Sequence, residues 1–205
     1  MAKKIKHTKN ELKAQREALA RFQRFLPMLQ LKQQQLQAEM QSIDHRRNAV
    51  LSDERALLDN VKTWSVLFSE PLDIEGLLAI KELRVGEANV AGVGIPVFEE
   101  MTFARSEVDL FTTPPWLDAG LDAVEQLGKL RVQRKILDEQ FRKIGYELRI
   151  TTQRVNLFEK VKIPECKEHI RVIRIFLGDE QTAAVARAKL AKSRTVDYAY
   201  KDEAA

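Results

Sequence analysis

Apolar residues recur along the first part of the chain at a fixed helical spacing. Stepping alternately by three and four from Leu19 gives Leu19, Phe22, Leu26, Leu29, Gln33, Leu36, Met40, Ile43, Arg47, Val50, Glu54, Leu57, Val61 and Trp64, and eleven of these fourteen are apolar. A 3.5-residue repeat held over so many turns predicts a coiled-coil seam. The intervening positions are Gln, Lys, Arg, Glu and Asp, which favour helix or stay solvated. Thr8, three residues before Glu11, fits a capping box that would start the helix. A helix of about 60 residues is roughly 90 Å long, which predicts an elongated molecule. Pro27 lies inside the run and predicts a lost backbone hydrogen bond and a kink. The helix is nevertheless expected to continue, because the stripe keeps its register on both sides.

A second stripe follows in Leu130, Arg134, Leu137, Phe141, Ile144, Leu148, Thr151, Val155 and Phe158. Its step then changes to four in Phe158, Lys162, Cys166 and Ile170, before Ile173 and Leu177. That is a stutter, a local unwinding of the supercoil. Pro164 sits at the same place and predicts a bend or a weakened turn there.

Between the stripes, Pro71, Gly76, Gly86, Gly92, Gly94, Pro96, Pro114 and Pro115 make up eight of the fourteen Gly and Pro in the chain. Leu72 to Leu83 is predicted to be a short helix. Asn89 to Phe98 is rich in β-formers and alternates, with Val93, Ile95 and Val97 on one strand face and Phe98 to Arg105 as the expected partner strand. The fold class expected is mainly α: two long helices forming an antiparallel coiled coil, joined by an insert with a short helix and a small β-hairpin. The expected parts are residues 1–68, the first long helix; 69–115, the insert; and 116–205, the second long helix with a frayed tail. Both termini would lie at one end and the insert at the other.

Composition sharpens this. The 205 residues include 31% charged and only 7% aromatic, and a single Cys excludes an internal disulfide framework or a zinc site built of several Cys. The basic start is followed by no apolar core, so no secretory signal is expected. The longest apolar stretch, Val90 to Phe98, falls far short of the ~20 residues of a membrane helix. The formal charge of +4 conceals an uneven distribution: residues 1–34 carry nine Lys/Arg and two acids, net +7, whereas residues 70–110 carry three bases and nine acids, net −6.

Catalytic chemistry is sparse. No Gly-rich run ends in Gly-Lys-Ser/Thr, and Gly92-Val-Gly94 reads as two glycines in a bent strand rather than a phosphate loop. His7, His45 and His169 are far apart, and in a folded hairpin His7 and His169, without a convergent carboxylate, read as surface residues. Cys166 falls on the stripe and reads as a buried small hydrophobe. The acids read as solvated helix faces, so no cofactor, no metal and no catalytic residue is expected. The basic termini permit nucleic-acid binding. Aromatics are not interleaved with them as a stacking platform requires, so a basic end docking on an acidic protein is at least as good a reading.

Three segments carry a family resemblance: Thr8 to Leu12 with Leu29-Gln-Leu-Lys32 and Leu36; the hairpin residues Val93, Ile95, Pro96, Val97 and Phe98 within Asn89–Phe98; and Thr152 to Pro164 continuing to Leu177, where Arg154, Val155, Asn156, Glu159, Ile163 and Pro164 match the pattern. The chain thereby resembles the D subunit of the V-type (archaeal/vacuolar-type) rotary ATPases, the central rotor shaft. The resemblance spans nearly the whole chain, with Pro27 and Arg21–Phe25 atypical of it. It implies a non-catalytic component that transmits torque between an A/B catalytic hexamer and an ion-translocating membrane rotor. The implied partners are the F subunit, the A/B hexamer and a socket subunit of the membrane rotor, without nucleic acid or membrane insertion. The implied location is cytoplasmic and peripheral to the membrane. The charge map together with that resemblance places Lys3, Lys4, Lys6, Lys9, Arg187, Lys189, Lys192 and Arg194 against the hexamer. The alternatives are a prefoldin-like chaperone, which holds clients with apolar helix tips where this chain is Lys-rich, and a coiled-coil scaffold, which needs neither the Val90–Phe98 segment nor the Ile163-Pro164 break.

Overall fold

A computed structural model describes residues 5–69, 74–106 and 113–202. Helix α1 spans Lys9–Lys62 and is followed by a 3₁₀ turn at Ser65–Ser69. A single helical turn, α2 (Ile74–Leu77), leads into strands β1 (Leu78–Val90) and β2 (Val93–Arg105). Helix α3 (Leu117–Asn156) passes through a π-helical segment, Leu157–Lys162, into α4 (Ile163–Asp202). The chain divides into two compact units, Leu31–Thr152 and Met1–Gln30 with Gln153–Ala205.

The repeat predicts burial correctly at every position. All fourteen residues of the stripe from Leu19 to Trp64 are buried or half-buried, and so is each residue of the second stripe from Leu130 to Leu177. In the Leu31–Thr152 unit, α1 and α3 are antiparallel. Lys32 Nζ lies 2.7 Å from Glu147 Oε1, Arg47 Nε 3.4 Å from Asp138 Oδ1, and Glu54 Oε2 2.5 Å from Arg134 Nη1. Leu36, Ile43 and Ile144 form a fully buried cluster that also takes in Ile95 of β2. Burial of such side chains contributes about 1.5–3 kcal/mol each.

The three polar residues of the first stripe are each answered across the helix pair. Gln33 Nε2 donates to Thr152 Oγ1 at 3.1 Å. Arg47 reaches Asp138, and its guanidinium carbon lies 5.3 Å from the Phe141 ring centroid. Glu54 accepts from Arg134 and, at 3.3 Å, from Arg131. A shift of one helix by a turn would separate all three pairs, so they specify register in the way polar positions do in coiled coils.

The insert differs in detail from the sequence expectation. The predicted helix over Leu72–Leu83 is one turn long, with Leu72 and Asp73 outside the described residues, and from Leu78 the chain is already strand. Lys81-Glu-Leu-Arg84 favours helix locally, but pairing with the β-branched and aromatic residues of β2 overrides that preference. The predicted partner, Phe98–Arg105, is the continuation of β2 itself. Pairing runs from Leu78 opposite Arg105 to Val90 opposite Val93, with Lys81 and Glu99 as extra residues at two irregularities. The turn is therefore Ala91-Gly92. Their φ values of 49° and 83° are the left-handed pair that a two-residue hairpin requires. Asn89 Oδ1 accepts from the Gly92 N–H at 2.9 Å, and the Ala91 side chain packs on the Ile95 cluster. A two-stranded sheet is marginal alone; burial of Ile95 and Met101 holds this one.

At the other end of this unit, Trp64 stacks on Phe68 at 5.3 Å and Phe68 meets Trp116 edge-on at 5.1 Å. Gly120 lets the indole approach: a Cβ there would stand 3.1 Å from Trp116 and 3.5 Å from Phe68.

In the other unit the start of α1 pairs antiparallel with the π segment and α4. His7 meets Phe176 at 4.8 Å, Gln15 meets His169 at 3.4 Å, and Phe22 meets Phe158 at 4.9 Å. Val155, Cys166, Ile170 and Ile173 are buried here. The cap forms as expected, with the Glu11 N–H donating to Thr8 Oγ1 at 3.3 Å. Helix α1 runs unbroken through Pro27, because the ring occupies an exposed position where water can satisfy the freed carbonyl. Among the described residues, no helix is long and apolar enough to cross a membrane.

Candidate functional site

Three sets of residues carry the functional expectations. The first is basic. Lys3 and Lys4 lie outside the described residues. Lys6 precedes α1, Lys9 opens it, and both are exposed. Arg187, Lys189, Lys192 and Arg194 lie on α4, where every residue from Gly178 to Arg194 is exposed, including Val185 at 56% and Leu190 at 62%. Alanines at 183, 184, 186, 188 and 191 keep this stretch helical by propensity. Charge pairing is local just before it: Arg171 binds Glu168 through two hydrogen bonds of 2.9 and 2.6 Å. The guanidinium holds the Glu168 carboxyl below the usual carboxylate range, and the carboxylate in turn raises Arg171.

The second set surrounds the π segment. Arg154 and Asn156 are exposed at the end of α3, while Val155 is buried. Glu159 is exposed within the π turn, Ile163 is half-buried and Pro164 exposed. The Ile163 N–H bonds the Phe158 carbonyl, five residues back. This wider turn makes room for the Pro164 ring, which would clash with a carbonyl in an ordinary helical turn. The stutter and Pro164 marked this place in sequence; the form of the irregularity is an inserted π turn. One turn further on, burial pushes the Cys166 thiol up from its ordinary value.

The third set is the hairpin. Ile95 is buried, while Val93, Pro96, Val97 and Phe98 are half-buried. Val93 and Ile95 both pack on the Leu36–Ile43–Ile144 cluster. Sequence reasoning passed over Gln140, which is 3% exposed and donates Nε2 to the Pro96 carbonyl, tying β2 to α3. Nor did it single out Arg105, which binds Asp122 and, at 2.5 Å, Glu125; those carboxylates raise its guanidinium further. Lys129 Nζ lies 5.8 Å from the Phe103 ring centroid. No periodic pattern marks such contacts, because their partners are distant in sequence.

His7 and His169 fall in the same unit but face different partners, Phe176 and Gln15. Among the described residues, no group of three or more His, Cys, Asp or Glu is placed to hold a metal. The polar groups that do converge are ion pairs and amide contacts between elements. Their chemistry is to hold one helix face, or one strand, against another.

Comparison with known proteins gives a consistent picture. Residues 11–193 match the model of the family described as the D subunit of ATP synthase. The V-type ATP synthase D subunit of Borreliella burgdorferi is 43% identical over 193 residues, covering 94% of this chain and 96% of that protein. The protein of the same name from Chlamydia pneumoniae is 34% identical over 197 residues, covering 95% and 94% respectively.

Proposed function

Because the chain belongs to the D-subunit family of ATP synthases, a central-stalk component of the V-type rotary ATPase, we propose that it is the shaft transmitting torque between a catalytic A/B hexamer and an ion-translocating membrane rotor. In this reading it carries no nucleotide and makes or breaks no bond itself. It works on the cytoplasmic side, peripheral to the membrane, with the F subunit on its flank and a socket subunit of the membrane rotor at the insert end.

The observation that carries the reading is the helix from Gly178 to Arg194, exposed on every side. Helical stability normally comes from packing an apolar face. A long helix with exposed Val185 and Leu190 therefore suits a site where other subunits enclose it. Its cations suit a bearing: exposed ion pairs contribute only about 0–1 kcal/mol each, so they exchange easily as the enclosing subunits change state. The buried seams of α1 supply stiffness, and the polar pairs of Gln33, Arg47 and Glu54 resist slippage of one helix along the other.

The chaperone and scaffold readings are not favoured by the family match. Purified chain mixed with the small F subunit and then with the A/B hexamer should co-elute with both. Reversing Lys6, Lys9, Arg187, Lys189, Lys192 and Arg194 to glutamate should weaken hexamer assembly while leaving the complex with the F subunit intact. Unchanged assembly and ATPase activity after the reversal would remove the basic end from the interface.

A further inference from the structure

In the unit formed by Met1–Gln30 and Gln153–Ala205, a groove of about 350 Å³ lies between α1 and α4. Leu19 and Ala20 of α1 and the buried Ile170 of α4 give it an apolar floor. Its polar walls are Gln23 and three cations, Arg16 of α1 with Lys167 and Arg174 of α4, and among the described residues no carboxylate lines it. These three cations differ from their neighbours. Lys13, Lys162 and Arg171 each have an acid three or four residues away and reach it: Glu17 at 3.9 Å, Glu165 at 3.1 Å and Glu168 at 2.6 Å. Arg16, Lys167 and Arg174 have no Asp or Glu three or four positions away in either direction. Among the described residues, none of the three forms an ion pair or a side-chain hydrogen bond.

Like charges gathered around one concave site repel one another and attract an anion. The geometry narrows the form of that anion. Lys167 and Arg174 are seven residues apart on α4, about 10 Å along its axis, with Ile170 between them. A helix laid in a groove presents residues i, i+3 and i+7 on one face. Carboxylates at i and i+7 with an aliphatic side chain at i+3 therefore meet the two cations and Ile170 in register, and Arg16 closes on them from α1. A lone inorganic anion would leave Leu19, Ala20 and Ile170 uncovered. We propose that this groove docks an acidic amphipathic helix of the A/B hexamer, whose carboxylates pair with Arg16, Lys167 and Arg174. The hexamer is the partner because the same unit carries the basic end, Lys6, Lys9, Arg187, Lys189, Lys192 and Arg194. The proposal rests on that reading and adds to it a second, separate set of contacts.

Binding of the full chain to the A/B hexamer tests this. Arg16→Gln, Lys167→Gln and Arg174→Gln together should weaken it about tenfold, since each exposed ion pair is worth a factor of about two to three. All three side chains are exposed, and an unchanged circular dichroism spectrum verifies the fold. A control that removes the same charge from other exposed positions, Lys135→Gln, Arg149→Gln and Lys160→Gln, should stay within about twofold of the native chain. Carbodiimide, which joins an amine to a carboxylate in contact with it, should couple Lys167 to an Asp or Glu of the A or B subunit in the native complex. Equal weakening by the two triple variants would make net charge, not the groove, the cause and would overturn the proposal. Coupling of Lys167 to the F subunit instead, or to no carboxylate in a complex that has assembled, would overturn it as well. Native affinity in the groove variant would remove the groove and leave the shaft reading standing, whereas a native chain that does not bind the hexamer would overturn the shaft reading itself.

Discussion

Replacing Arg131 and Arg134 together by methionine strips both cations from Glu54. The Glu54 side chain is 6% exposed, whereas its two partners are 56% and 36% exposed. The burden of burial therefore falls on the carboxylate, while each guanidinium keeps part of its hydration. Removing the partners of a buried charge costs about 3–5 kcal/mol. At this chain length that corresponds to a loss of about 6–20 °C in the thermal midpoint. Removing the carboxylate instead, in Glu54→Leu, leaves two arginines that can turn to water, and an apolar residue in the seam. That substitution should be near neutral or slightly stabilising. Arg131→Met alone, with Arg134 still 2.5 Å from Glu54, should cost no more than about 1 kcal/mol. Trp64 and Trp116 are the two tryptophans of the chain, and both belong to the Leu31–Thr152 unit. Their fluorescence during thermal unfolding reads out this unit specifically. A Glu54→Leu variant as damaged as the double methionine variant would refute the reasoning, since it would mean that the arginines, not the carboxylate, carry the cost.

Further outcomes follow from other parts of the structure. Ile144 is fully buried in the cluster that pins the hairpin; Ile144→Ala should cost about 2–5 kcal/mol in the same fluorescence assay, and a loss below about 1 kcal/mol would show that the cluster is loosely packed. Cys166 is buried, and its thiol is pushed up by that burial, so at neutral pH Ellman's reagent should label it far more slowly in the native chain than in denaturant; equal rates would contradict its place in the seam. Glu168 is held below the usual carboxylate range by Arg171, so its pair adds stability above the ordinary carboxylate range and loses it as pH falls through the lowered value. Carboxyl NMR should show Glu168 titrating higher in Arg171→Gln, and an unmoved titration would remove the pair as the cause.

The parts of the fold carried by long periodic patterns were legible before the structure. Each stripe residue from Leu19 to Trp64 and from Leu130 to Leu177 is at least half-buried, because a sustained 3.5 repeat has one geometric solution. The polar exceptions Gln33, Arg47 and Glu54 were visible as interruptions, but their meaning lay in Thr152, Asp138, Arg131 and Arg134, roughly 80 to 120 residues away in sequence. The hairpin was legible in kind and misplaced in detail. Its turn is Ala91-Gly92 rather than an Asn-Gly or Asp-Gly pair, and Leu78 to Leu83 has the composition of a helix. Only the tertiary pairing of β1 with β2 decides such a segment. The π turn announced itself as a stutter beside Pro164. Gln140 carried no signal at all, since a glutamine on a helix is ordinary until β2 is laid over it.

The central claim is that this chain is the turning element of the machine. A complex assembled with this chain, fixed to a surface through its A/B hexamer and carrying a bead on an exposed position of β1 such as Glu87, tests it most directly. On addition of ATP the bead should rotate in one direction and stop when nucleotide is withdrawn. A bead that stays still while the same immobilised complexes hydrolyse ATP would contradict the account.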